Sequence, residues 1–403
     1  MELNIQNGGL LLLIAAVVAI LTRRLRLPYS VGLVAAGIGM ALLPFSPTIG
    51  LTKELLFTLL LPPLIFEASF SLQWDQLRRD LPLVILLATL GVVLSAGITA
   101  AGMYYLASWP WLSALIFGIL IAATDPVSVI ATFKEANVHG RLLLLVESES
   151  LFNDGTAAVL FGIVLELAMG KSFLPGAAAL ALLATGGGSL LCGAVVAGAG
   201  LLLAGRTKDH LVEVTITMIA AYGSALLAEH FHFSGVLATL TAGLMLGNLG
   251  HLGAITDRGR EAVQAFWELA AFVANSFVFL LIGMHEAGQN FIVKWPAIIT
   301  AIVLVTLARA AAVYPCSALF ARGELRVTYR HQHVLFWGGL RGALALALAL
   351  ALPVTLPERE AIVTVSFAVV AFSIFVQGLT LTPLLRRFGE IPAGSKHVNN
   401  PKR

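Results

Sequence analysis

The sequence predicts an all-α polytopic membrane protein of about thirteen transmembrane helices, arranged as two inverted repeats. Three observations lead there. First, 58% of the 403 residues are apolar and only 12% are charged, about half the roughly 25% of an ordinary soluble domain. With a mean hydropathy of +0.91, 25 basic and 22 acidic residues are too few to supply a soluble surface. A soluble enzyme, a disordered chain and a nucleic-acid binder are thereby excluded. Second, apolar runs near the roughly 20 residues that a membrane helix needs recur along the whole chain. Third, the basic residues between those runs alternate from one side to the other.

The runs fall at roughly 8–22, 30–44, 54–70, 81–107, 111–133, 142–169, 174–204, 211–230, 234–249, 261–284, 296–320, 332–352 and 360–385. The gaps between them leave no room for a folded extramembrane domain. The first run has no small-residue cleavage site and more helices follow at once, so it reads as a retained helix and not a signal peptide. Odd-to-even connections and the C-terminus carry nineteen of the 25 basic residues, from Arg23 and Arg24 to Lys402 and Arg403. The N-terminus and the even-to-odd connections carry four: Lys53, Lys171, Lys294 and Arg359. The positive-inside rule then places the N-terminus outside and the C-terminus in the cytoplasm, with 386–403 as a short cytoplasmic tail. Cys192 and Cys316 lie in apolar runs and read as small packing residues.

The remaining two basic residues, Arg309 and Arg341, lie inside runs eleven and twelve. A charge at membrane depth is costly, so an ionisable residue there is a functional candidate by default. Glu166, Glu213, Glu229, Glu261 and Glu286 sit near run ends and are expected to snorkel to the interface. Glu67, Asp125, Glu149, Asp154, Arg309 and Arg341 lie deeper, with Glu147 and Glu268 between.

Run five contains Thr124-Asp125-Pro126-Val127-Ser128. A proline donates no backbone hydrogen bond and disfavours the α conformation at the residue before it, so the helix is expected to unwind there. Unwound backbone at membrane depth is tolerated only against a cavity or within protein. Here it frees carbonyls beside a carboxylate, a hard oxygen site for a small cation. Run six contains Glu147-Ser148-Glu149-Ser150-Leu151-Phe152-Asn153-Asp154-Gly155. At helical spacing Ser150 and Asp154 share one face, and Glu149 and Asn153 share the adjacent one. In run eleven Arg309 must find a carboxylate or water, and Glu149 is the expected partner. In run twelve Gly338-Gly339-Leu340-Arg341-Gly342 suggests a second broken helix, and the Leu-Ala alternation from Ala343 to Leu350 a smooth packing face. In run three Glu67 follows Pro62-Pro63 and is a candidate for the cation path. The two broken runs are seven apart, so they point in opposite directions. Runs 1–6 and 8–13 then form inverted repeats, the arrangement in which interrupted helices mark a transporter's binding site.

At Thr124-Asp125-Pro126, Glu149 through Gly155, Arg309 and Gly338 through Gly342 the chain resembles the monovalent cation:proton antiporters of NhaP type, relatives of the sodium/proton exchangers. The resemblance covers the whole membrane region in order and spacing. It implies discontinuous helices 5 and 12 crossing in a core bundle (approximately 81–169 and 296–385), a dimerisation part (8–70 and 211–284) and a linker helix (174–204). It also implies a homodimer in the plasma (inner) membrane. It maps a Na+ site onto Asp154, Asp125, Ser150 and Thr124, with Asn153 in support. Glu149 and Arg309 match a structural ion pair, Glu67 an acid of the cytoplasmic funnel, and Arg341 a second membrane arginine. Asn153-Asp154, where electrogenic relatives tend to carry two Asp, resembles the electroneutral class.

The expected activity is exchange of Na+ or Li+ for H+, one for one, by alternating access, with cation and proton competing for Asp154. No ATP-binding motif and no cofactor are expected; the partners are the cation, the proton, membrane lipid and a second copy, with no nucleic acid. The alternatives are a K+/H+ antiporter of the same fold, a cation channel, and an intramembrane aspartyl protease. The last would be expected to show Gly-x-Gly-Asp at one Asp, and neither Asp125 nor Asp154 has it.

Overall fold

The computed structural model describes residues 5–25, 27–42, 52–125, 129–130, 133, 138, 140–170, 175–250, 254–288 and 291–390. Pro126 to Ser128 of the run-five motif, and the tail from 391 on, lie outside them. The described residues are helical nearly throughout. In chain order the helices are α1 (Ile5–Leu25), α2 (Tyr29–Ala41), α3 (Leu61–Ser71), α4 (Trp74–Leu86), α5 (Val92–Ala107), α6 (Trp111–Ala122), α7 (Arg141–Ala168) and α8 (Pro175–Ala204). They continue with α9 (His210–His230), α10 (Gly235–Leu249), α11 (Asp257–Glu286), α12 (Trp295–Leu319), α13 (Tyr329–Trp337), α14 (Ala343–Leu350), α15 (Arg359–Phe372) and α16 (Leu379–Phe388).

Eight helical stretches are long and apolar enough to cross a membrane, α4–α5 and α15–α16 each counting as one. Shorter apolar helices lie at Tyr29–Ala41, Leu55–Ser71, Trp111–Ala122 and Gly235–Leu249. Helix starts follow local chemistry. Asp209, Ser234, Thr256 and Thr328 each accept a backbone N–H of the first turn, from Leu211, Leu237, Gly259 and His331 respectively. These caps satisfy donors that a helix start leaves open. Single π turns at Leu55–Leu60 and Ser373–Gly378 lead into helices carrying Pro62 and Pro383, whose missing amides upset the hydrogen-bond ladder.

The helices pack in two groups. α4–α7 gather with α12–α15, and α16 joins through α13; α1–α3 gather with α8–α11. Without a hydrophobic drive between helices in lipid, close approach depends on small residues. Gly37 of α2 and Gly283 of α11 show it: a Cβ at Gly37 would lie 2.2 Å from the Leu280 carbonyl oxygen, and one at Gly283 2.2 Å from that of Val34. α7 touches α3, α8 and α10 and so borders both groups.

Two expectations need correction. Glu213 and Glu286 do not snorkel; both are buried. The Glu213 carboxylate, at the start of α9, accepts from the backbone N and the hydroxyl of Thr256 at 3.3 and 3.1 Å, so a cap of α11 holds it inside. Nor does the Leu-Ala stretch present one packing face. Every residue from Ala343 to Ala349 is buried, because α14 is enclosed by α6, α7, α15 and the π turn before α3. The two cysteines are free and buried.

Candidate functional site

The chain leaves the α6 helix at Ala123 (φ −58°, ψ 138°), two residues before Asp125. The break therefore begins ahead of the residue that the proline constrains. It opens the carbonyls of Ala122 and Ala123, and both accept Nη1 of Arg341, at 2.6 and 3.1 Å. A guanidinium at a helix C-terminus meets the negative end of the helix dipole. Arg341 itself sits in the second break, between α13 and α14. Its backbone N–H donates to Ser373 Oγ at 2.8 Å.

The two breaks touch through backbone. Asp125 N–H donates to the Leu340 carbonyl at 2.6 Å. A Cβ on Gly342 would fall 2.4 Å from Asp125 Cβ and 2.7 Å from its Cγ. Glycine at 342 is thus what allows Asp125 to lie against the other broken segment.

α7 supplies the third wall. Asn153 Nδ2 donates to Thr124 Oγ1 (2.6 Å) and Glu149 Oε1 (3.0 Å), and its Oδ1 accepts Thr124 N–H (3.1 Å). Ser150 Oγ bonds Thr124 Oγ1 at 2.9 Å. The amide thereby fixes the unwound Thr124 to α7. Arg309 of α12 donates to both oxygens of Glu149, at 2.7 and 2.9 Å, and Nη2 also reaches the Leu335 carbonyl at 2.9 Å. This two-pronged pair is buried on both sides, where each charge needs its partner.

Asp154, one turn beyond Ser150, differs from its neighbours. Its Oδ1 is buried and has no hydrogen-bond partner among the described residues. Asp154 lines a cavity of about 30 Å³ together with Leu61, Leu64 and Ile65 of α3, Ala123 to Asp125, Leu151, and Gly342 to Ala345. Two carboxylates, a threonine and unwound backbone converge there in otherwise apolar walls. Oxygen donors alone suit a hard cation or a proton. Among the described residues no group of three or more His, Cys, Asp or Glu side chains gathers as a metal site would require.

Of the residues singled out from the sequence, Thr124, Asp125, Glu149, Ser150, Asn153, Asp154, Arg309 and Arg341 come together at or around the two breaks. Glu67 is half-buried on α3, and it is Leu61, Leu64 and Ile65 of that helix that line the cavity. Ser373 escaped sequence reasoning, since nothing sets it apart from Ser366 in the same run, and Gly342 was legible only as a helix breaker. Asp80 was missed as well. Its buried carboxylate takes Arg141, at the start of α7, at 2.7 Å, while the same guanidinium holds the Leu325 and Arg326 carbonyls.

The family described as the transmembrane sodium/hydrogen exchanger matches residues 11–387. The chain belongs to that family. The Na+/H+ antiporter ApNhaP of Aphanothece halophytica is 36% identical over 91% of this chain and 70% of its own length. The Na+/H+ antiporter NhaP of Pseudomonas aeruginosa is 34% identical over 83% of this chain and 81% of its own. In fold, this exchanger-family chain is similar to the sodium proton antiporter MjNhaP1 of Methanocaldococcus jannaschii. The TM-score is 0.73 at 20% identity, covering 96% of each chain. The protein is therefore an integral membrane protein of a family of ion-coupled transporters and not an enzyme.

Proposed function

We propose that this protein exchanges Na+ or Li+ for H+ across the plasma membrane, one for one, with both ions competing for Asp154. The observation that carries this reading is Asp154, which lines the cavity at the junction of two broken helices and whose buried Oδ1 has no hydrogen-bond partner among the described residues. Burial disfavours the charged form of a carboxylate, so this one must be neutralised by whatever enters. A proton does so by bonding, a cation by coordination to Asp154 and Asp125 with Thr124 and Ser150 alongside. One carboxylate that takes either ligand but not both gives obligatory exchange. The empty charged site cannot cross a low-dielectric barrier, whereas the loaded one can.

Asn153 holds the unwound segment and takes the place of a second acid beside Asp154, which supports electroneutral exchange. Glu149 and Arg309 keep α7 and α12 together as the core moves. Arg341 stabilises the opened end of α6. Glu67 lines the cytoplasmic funnel. The two packing groups support a division of labour: α4–α7 and α12–α16 carry the ion, while α1–α3 and α9–α11 form the homodimer, with α8 as linker. The N-terminus is outside and the C-terminus cytoplasmic.

Proteoliposomes loaded with a pH-sensitive dye test the reading. Na+ or Li+ added outside should discharge an imposed pH gradient in the wild type, and a voltage clamped at zero should leave the rate unchanged. Asp154→Asn and Asp125→Asn should abolish exchange while melting as cooperatively as the wild type. Wild-type exchange by Asp154→Asn would end the proposal; a response to K+ alone would reassign the cation.

A further inference from the structure

A second cavity, small at about 10 Å³, has Arg309 of the Glu149–Arg309 pair in its wall and shares no lining residue with the Asp154 cavity. Ile302, Val305, Thr306 and Arg309 of α12, Gly339 and Arg341 of the second break, Val369 and Phe372 of α15 and Gln377 of the π turn line it. Its polar groups are lopsided. Arg309 Nε is buried and has no acceptor among the described residues. Among the described residues the Arg341 side chain donates only through Nη1 and forms no ion pair. The Gln377 side chain, 7% exposed, makes no hydrogen bond to any described residue. Thr306 gives its hydroxyl to the Ile302 carbonyl. Guanidinium nitrogens are donors only. One small cavity thus has two buried guanidinium groups and an amide in its wall, and among the described residues Glu149 is paired with Arg309 alone. Buried donors without partners are costly, which makes such a wall receptive to negative charge.

We propose that this cavity is a binding site for a small monovalent anion of the halide class, chloride in the cell, held by Arg341 and Gln377 with Arg309 behind. The anion stays with the core and is not transported. It draws on the guanidinium field that otherwise opposes a cation at the neighbouring Asp125 and Asp154. Anion and transported cation therefore bind cooperatively, and by linkage each tightens the other. The anion site stands on its own donors, read by the melting shift and the bromide peak; its coupling to the cation rests on the exchange reading.

The test uses the full chain in detergent at fixed Na+ and ionic strength. Chloride or bromide replacing gluconate should raise the melting temperature by a saturable few degrees. Crystals grown in bromide should show an anomalous peak between Arg341 and Gln377. Gln377→Leu and Gln377→Glu should each remove the saturable shift, the second by repulsion, while melting cooperatively in gluconate. In proteoliposomes, chloride should lower the apparent Na+ KM about fivefold, a coupling of ordinary size. Equal melting in chloride and gluconate, with no bromide peak, would overturn the proposal and leave water as the occupant. A chloride shift that survives both Gln377 variants would place the anion elsewhere and overturn it too.

Discussion

Replacing Glu149 by alanine takes from Arg309 the one carboxylate it pairs with among the described residues, and its guanidinium is buried between α7, α12 and the end of α13. Three hydrogen bonds go with it: two from Arg309, at 2.7 and 2.9 Å, and one from Asn153 at 3.0 Å. Asn153 keeps its 2.6 Å bond to Thr124, and Arg309 keeps only the Leu335 carbonyl. Stripping one partner from a buried pair costs about 3–5 kcal/mol, because the surviving charge stays desolvated. In a chain of 403 residues that corresponds to a fall of roughly 4–6 °C in melting temperature. Removing both charges at once is a different perturbation. Glu149→Leu with Arg309→Met leaves no orphaned ion, and such replacements are often near neutral. Thermal unfolding in detergent of both single variants and the double variant closes a double-mutant cycle. The expected result is two strongly destabilised singles and a double variant that recovers most of the loss. A Glu149→Ala protein melting within about 1 °C of wild type, where a buried orphan charge should cost several kcal/mol, would refute the reasoning.

Gly342→Ala should abolish or strongly reduce vesicle exchange, because the added methyl occupies space 2.4 Å from Asp125 Cβ. Its stability cost should be the ordinary 1–3 kcal/mol or so of overpacking, read as a modest shift in melting temperature. Gly283→Val should push α2 and α11 apart, its Cβ falling 2.2 Å from the Val34 carbonyl, and lower the melting temperature by a similar amount; unchanged melting would argue against that contact. Glu213→Ala should cost about 1–3 kcal/mol by freeing the Thr256 hydroxyl and amide, and Glu213→Gln less, since one acceptor remains.

Much of the site was legible because the membrane makes polar residues conspicuous. Arg309 and Glu149 could be paired from sequence, since neither is tolerated alone at that depth. The broken runs showed in Asp125-Pro126 and in the glycines around Arg341. The fate of Glu213 and Glu286 was not legible. Position near a run end fits both an acid that reaches for water and one enclosed by a neighbouring helix; for Glu213 the packing of α11 against α9 separates the two. Arg141 looked like a loop charge until the fold brought Asp80 beside it.

Hydropathy, loop charge and the two helix breakers settled by themselves that this chain is a helical membrane protein, and which few charges lie inside it; the transporter reading came with the motifs it shares with the exchanger family. These are local properties, read one residue at a time against the cost of burial. Which atoms remain unspent was left to the tertiary structure. Asn153, a candidate ligand by position, is consumed in holding Thr124. Asp154 lines a cavity and keeps an oxygen without a partner among the described residues. Arg341 turns its charge to the end of α6 and borders a second cavity that no spacing announces. Hydrogen bonds between segments far apart in the chain make that allocation, and no spacing within one helix encodes it.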